Sequence, residues 1–208
     1  MEGLTKEEVK ILKSLTRPRR VQDFLDAIPI NFEEEGDTVL SPRRVLRENR
    51  AHCIEGALLA ACVFALQGRR PLLLDLTSAR HDDDHVVALF QEHGRWGAVS
   101  KTNHAVLRYR EPVYRTVGEL AMSYFHEYFL HDGRKTLRSY SRPVDLIRFR
   151  SRGWMVEEQN LWYIVDALNT APHTDILRPG QGNALRRADA IEIDAGKLTQ
   201  WKKQKLPD

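Results

Sequence analysis

Cysteine is scarce: the 208 residues contain only Cys53 and Cys62. With both on one helix, nine positions apart, their Cα atoms would stand roughly 13 Å from each other, too far for a disulfide. No stretch approaches the roughly 18 apolar residues that span a bilayer. The start, MEGLTKEEVK, is charged and offers no apolar leader. These two absences predict a cytoplasmic protein with no membrane attachment. An excess of one charge is missing too. The 32 basic and 29 acidic residues leave +3, too even a balance to argue for nucleic acid. There is no internal repeat and no low-complexity tract.

What is present suffices for a core. A chain of this length buries roughly 70% of its unfolded surface, and 42% hydrophobic content with 29% charged is ordinary for a globular protein. Arginine is nevertheless bunched at Arg17, Arg19 and Arg20, at Arg43, Arg44, Arg47 and Arg50, and at Arg148, Arg150 and Arg152, with WKKQK at the end. Such runs read as solvated faces and ion pairs; an acidic partner is the rival reading.

The most informative stretch is SPRRVLRENRAHCIEGALLAACVFALQG, Ser41 to Gly68. Ser41 is an N-cap and Pro42 a first helical residue. A second helix is expected from about Cys53 to Leu66, with Gly68 closing it. Its apolar residues face every direction, so it is predicted to be a central, buried helix. Cys53 sits in the first turn, where unsatisfied N–H groups and the helix dipole favour thiolate. Cys62, among Ala and Val, reads as a small core residue.

Before this stretch, Thr5 to Glu8 forms a capping box ahead of a helix, and Arg19 to Ala27 is a second short one. After it the period changes. RPLLLDLTSA is expected to be a buried strand. HVVALFQEHGRWGAVS is a hairpin turning at His93-Gly94. KTNHAVLRYREPVYRT is extended or turning, broken by Pro112. Val117 to Leu130 is an aromatic-rich helix, RPVDLIRF a short helix or strand, and Glu157 to Asn169 another helix. Pro172 to Gly182 is a loop, AIEID a short strand, and the tail polar and frayed. Helices, then strands, then helices point to an α+β fold.

A reactive thiol needs a base and something to orient that base. His85, at the start of the first hairpin strand, is the base within reach if the buried helix packs across the sheet. With the turn at His93-Gly94, Thr102 falls opposite His85 and Ser100 opposite Val87. A turn shifted by one residue brings Ser100 opposite His85. Either way Ser100 shares the face of His85, with Thr102 the less favourable orienter and Asn103 directed away. A serine hydroxyl accepts from an imidazole N–H but carries no charge. His81-Asp82-Asp83-Asp84-His85 offers ligands for zinc. Histidines four apart converge only on a helix, however, and this run reads as a solvated acidic loop. No metal and no cofactor is expected.

The helix with its leading cysteine, then HVVALF, then WGAVS, resembles the transglutaminase-like superfamily, with its papain-like cysteine-enzyme fold. The resemblance covers about Ser41 to Thr102. It implies a nucleophilic Cys53, a His85 base, and Ser100 where the family commonly places Asp, counted from Trp96. It also implies a core at about 41–130 within a single domain of 1–208, extended by about 131–208. The activity implied is acyl chemistry on an amide, by hydrolysis or transfer, on a peptide or protein. The Cys53 N–H would serve an oxyanion hole, with Asn49 or His52 as second donor. The alternative is a catalytically silent domain of the same fold that binds a peptide or protein.

Overall fold

The computed structural model describes residues 3–203. The chain is α+β, with helices over 37% of it and a seven-stranded antiparallel sheet. Four helices come first: α1 (Lys6–Ser14), α2 (Pro18–Ala27), α3 (Pro42–Glu48) and α4 (Cys53–Leu66). Thr5 and Glu8 cap α1 reciprocally, and the Ser41 hydroxyl accepts from the Arg44 N–H to start α3. Gly68, just past α4, takes the left-handed conformation (φ +77°) that ends a helix.

The strands are β1 (Leu72–Ser78), β2 (His85–Glu92), β3 (Arg95–Val99), β4 (Arg110–Tyr114), β5 (Leu137–Ser141), β6 (Val144–Asp145) and β7 (His173–Asp175). They lie in the order β4-β3-β2-β1-β5-β7, and β6 pairs with β1. The β2–β3 hairpin turns at His93 and Gly94, both at positive φ, with Glu92 opposite Arg95 and Ala88 opposite Val99. That register carried onward sets Ser100 opposite Val87.

Both faces of the sheet are covered. On one, α4 packs against Leu73, Val86, Ala88 and Phe90. On the other, Leu74, Leu76, Val87 and Leu89 meet Leu120, Tyr124, Phe125 and Tyr128. Burial on two sides explains why β1 is a continuous apolar run and not an alternating one. Among the described residues no helix is long and apolar enough to cross a membrane.

Several expected elements differ. The helix expected over Val117 to Leu130 is α5 (Val117–Met122) followed by a 3-10 turn at Phe125–Glu127. Arg110 takes the Ser123 carbonyl and hydroxyl, removing an acceptor that a longer helix would need. The helix expected from Glu157 begins only at Trp162, as α6 (Trp162–Asn169). The Leu161 N–H is committed to the Val39 carbonyl, and Glu157 turns back to accept from Glu158 and Gln159. AIEID is no strand: it opens α7 (Ala190–Gly196), because Asp189 and Glu192 form a capping box ahead of the isoleucines. Pro112 does not break the chain but lies in β4, an edge strand where a missing N–H is tolerated. The loop expected over Pro172 to Gly182 contains β7. The tail is tied down as far as Trp201, whose N–H donates to Asn103 Oδ1 at 2.8 Å; of WKKQK, Gln204 and Lys205 lie outside the described residues.

Candidate active site

Asn49 ends α3 in the left-handed conformation (φ 50°), which asparagine tolerates. The chain then pairs Ala51 with Pro29 and Asn31 and enters α4 at His52. Cys53 is the first helical residue, so its N–H has no partner within the helix. Gly56 follows one turn later, and a Cβ there would collide with the Lys101 side chain. This approach seats the head of α4 against the chain leaving β3. Lys101 is itself buried, its ammonium capping α2 through the carbonyls of Leu25 and Ile28. Burial draws its pKa down to about 8.

The half-exposed Cys53 opens into a cleft of about 490 Å³. His85, Thr102, Leu107, Tyr128 and Phe129 line it as well. His85 is the first residue of β2. By alternation it belongs to the face of Val87 and Leu89, away from the body of α4, and its place at the strand's mouth is what gives it access to the cleft.

His85 Nε2 lies 2.8 Å from Ser100 Oγ, and that hydroxyl donates to the Leu107 carbonyl at 2.5 Å. A carbonyl only accepts, so the single hydroxyl proton is committed to it. Nε2 must then be the protonated nitrogen, donating to Ser100, and Nδ1 is left free. Gln22 fixes Ser100 from behind, bonding both its N–H (3.0 Å) and its carbonyl (2.8 Å). Thr102 turns instead to the His104 N–H, Asp82 to Thr136, and Asp84 to the Ser78 N–H. Ser100 is therefore the residue that holds His85.

A second histidine stands closer to the sulfur in the hydrogen-bond pattern. His52 Nδ1 is 3.9 Å from Cys53 Sγ, and its Nε2 donates to the Thr38 carbonyl at 2.9 Å. Glu33 and Glu55 each bring a carboxylate oxygen to 3.3 Å of Nε2. Glu55 is fully buried, and its oxygens accept from His52 N–H (2.9 Å), Leu40 N–H (3.0 Å), Thr38 hydroxyl (2.7 Å) and Asn31 (3.1 Å). Burial alone would raise the Glu55 pKa, but His52, Thr38 and Asn31 outweigh it and hold the carboxyl at about 2. Burial likewise works against charge on His52, yet Cys53 and Glu55 push it up to about 11. Burial would raise the Cys53 thiol; His52 first and His85 second bring it down to about 5. Each partner thus favours the other's charged form, thiolate beside imidazolium. Cys62, sealed in the core, goes the other way, to about 12, chiefly through burial.

His85 also lowers the thiol, after His52. Sequence reasoning gave His52 only an oxyanion role and passed over Glu55. A signal was there: Glu55 is the one charged residue in Cys53–Leu66, three positions after a histidine at the helix entry. Asn49 is exposed, with its N–H bonded to the Val45 carbonyl. Among the described residues no group of three or more His, Cys, Asp or Glu is arranged to hold a metal ion. No family model matches the sequence, and a search of curated proteins finds no match.

Proposed function

We propose that the chain is a transglutaminase-like cysteine hydrolase or acyl-transfer enzyme, acting on an amide bond of a peptide or protein through Cys53 and His85. The observation that carries this reading is a half-buried thiol, drawn down to about 5 at the head of a buried helix, in one cleft with an imidazole whose far nitrogen is fixed by Ser100. A core helix laid across an antiparallel sheet is the architecture that the superfamily resemblance calls for.

Cys53 thiolate attacks the carbonyl carbon, and the tetrahedral oxyanion takes the free Cys53 N–H. His52 supplies the charge that keeps the sulfur ionised. His85 lines the cleft and His52 does not, so proton transfer falls to His85. His85 Nδ1, having first taken a proton from solvent, passes it to the leaving amine, releasing the amine and leaving a thioester on Cys53. The neutral imidazole then takes a proton from water, giving acid, or from an amine, giving a new amide.

Acylation by p-nitrophenyl acetate tests this, because that ester needs no protonated leaving group. One acyl group per chain is expected on Cys53 and none on Cys62. Subsequent deacylation should slow by about 100-fold or more in His85→Ala. A Cys53 that stays unacylated, or an acyl-enzyme that turns over equally well without His85, defeats the catalytic reading and leaves a domain that binds a peptide or protein in the same cleft.

A further inference from the structure

A second cleft, of about 730 Å³, shares no lining residue with the first. It lies beside β5 and β7, and its side chains include Arg134, Lys135, Arg138, Arg178 and Arg187 against a single carboxylate, Asp175. None of these cations belongs to the bunched arginines of the sequence. They come from segments some forty residues apart and meet only because β5 and β7 are paired.

The five are not equally engaged. Arg134 and Arg187 share Asp132, and Lys135 lies 3.5 Å from Glu192. Arg138 and Arg178 have no carboxylate at ion-pair distance among the described residues. Arg138 is half-buried, and its Nη1 donates to the carbonyls of Lys135 and Leu137, both at 3.0 Å. Its Nη2 comes within 3.9 Å of where a Cβ would stand on Gly182. The guanidinium is thus held in place by backbone dipoles while part of its donor fork is unused. Partial burial of a cation with no counter-charge is unfavourable, and an anion from solution would offset it.

The cleft wall opposite is glycine-bearing, RPGQG, with Gly180 in the left-handed region (φ +79°) and nothing near its Cβ position. A ligand can approach the backbone there without meeting a side chain. Leu177 and Leu185, half-buried against the second core, give the cleft an apolar floor. Its volume falls in the range of small-ligand sites, roughly 300–1,000 Å³.

We propose that this cleft binds a small phosphate ester, with Arg138 and Arg178 holding the phosphate, the leucine floor taking the organic part, and Asp175 accepting from a ligand hydroxyl. Guanidinium suits this anion because its planar fork matches two phosphate oxygens at once.

Calorimetric titration of the full chain at near-physiological salt, with inorganic phosphate and with phenyl phosphate as probes, tests it. Saturable one-to-one binding is expected, tighter for phenyl phosphate, and weakened at least about tenfold by Arg178→Ala and by Arg138→Ala. Arg138→Lys should restore only part of the loss, since an ammonium keeps the charge without the fork. Arg178 is exposed, so its variant remains informative if Arg138→Ala fails to fold. Absence of saturable binding, or binding undiminished in the Arg178→Ala variant, overturns the site. Equal affinity for the two probes overturns the ester. A single-stranded oligonucleotide that binds where neither small probe does would replace the small ligand with a polymer.

Discussion

Cys53 and His52 exchange a neutral pair for an ion pair on folding, and the pH dependence follows from counting protons. Below the ordinary His value of 6.5 an unfolded chain binds two protons at these residues, while the folded pair holds one down to about 5. Stability from the pair therefore falls as pH drops through that window. Between 6.5 and the ordinary thiol value of 9.0 both states hold one proton, and the contribution is flat. Above 9.0 the unfolded chain holds none while the folded pair keeps its proton to about 11, so stability falls again. Urea unfolding of wild type and Cys53→Ala across pH should give a difference curve with this plateau; a curve rising steadily to pH 10 would remove the ion pair. The same pair governs reactivity. In His52→Ala the iodoacetamide-labelling midpoint at Cys53 should climb from about 5 toward the ordinary thiol range. Ser100→Ala strands both His85 Nε2 and the Leu107 carbonyl, and a turnover loss of about 10- to 100-fold is expected, roughly 1.4–2.7 kcal/mol. It should appear in deacylation rate with the labelling midpoint little changed, because Ser100 orients His85 and does not touch the sulfur.

At the scale of elements, α4 is the piece on which position depends. Its apolar circumference is legible in CIEGALLAACVFAL, and its bounds, Cys53–Leu66, are those the sequence predicts. The close seat on Lys101 at Gly56 is not legible, since an isolated glycine in a helix reads only as a small loss of propensity. Gly56→Ala raises helix propensity yet forces the helix off Lys101. Destabilisation of about 1–3 kcal/mol is expected by denaturant titration, together with a changed labelling rate at Cys53. A stabilised variant would show that the contact is loose. The elements that sequence reasoning misjudged failed for one kind of reason. Arg110 truncates α5, Val39 delays α6, and Asp189 with Glu192 converts AIEID into α7. The first two are partners far away in the chain. The third is local: an Asp-x-x-Glu capping box outweighs the strand-like alternation of Ile191 and Ile193.

For the molecule as a whole, the segments after Lys135 extend the sheet. β5 and β6 pair with β1, and β7 pairs with β5. Trp154, Leu161, Ile164 and Leu168 join the same core as α4. Ile193 and Gly196 reach the thiol cleft, and the stretch from Gly196 to Trp201 is held by Asn103 and His104. A chain ending at residue 131 would expose a flank of β1 and empty the core beside α4. It is expected to lose cooperative thermal unfolding, read by far-ultraviolet circular dichroism; a sharp two-state transition in that fragment would mark the later segments as an appendage. The arginines bunched between Arg43 and Arg50 carry the opposite lesson. Arg43 pairs with Glu8, Arg44 and Arg50 with Glu48, and Arg47 with Glu158. A cluster in sequence proved neutralised, and the open cluster was assembled by strand pairing.

The amino-acid order alone determined the local features: the capped helices, the all-round apolar α4 with Cys53 at its head, and the His93-Gly94 turn. Each depends on neighbours a few positions away, so periodicity and turn chemistry suffice. Tertiary structure alone decided which groups hold the two histidines. The Thr38 carbonyl, Glu33 and Leu107 approach from segments whose separation in the chain says nothing of their distance in space. It is their contacts, formed only when burial excludes water, that hold the ring of His52 in place and fix the tautomer of His85.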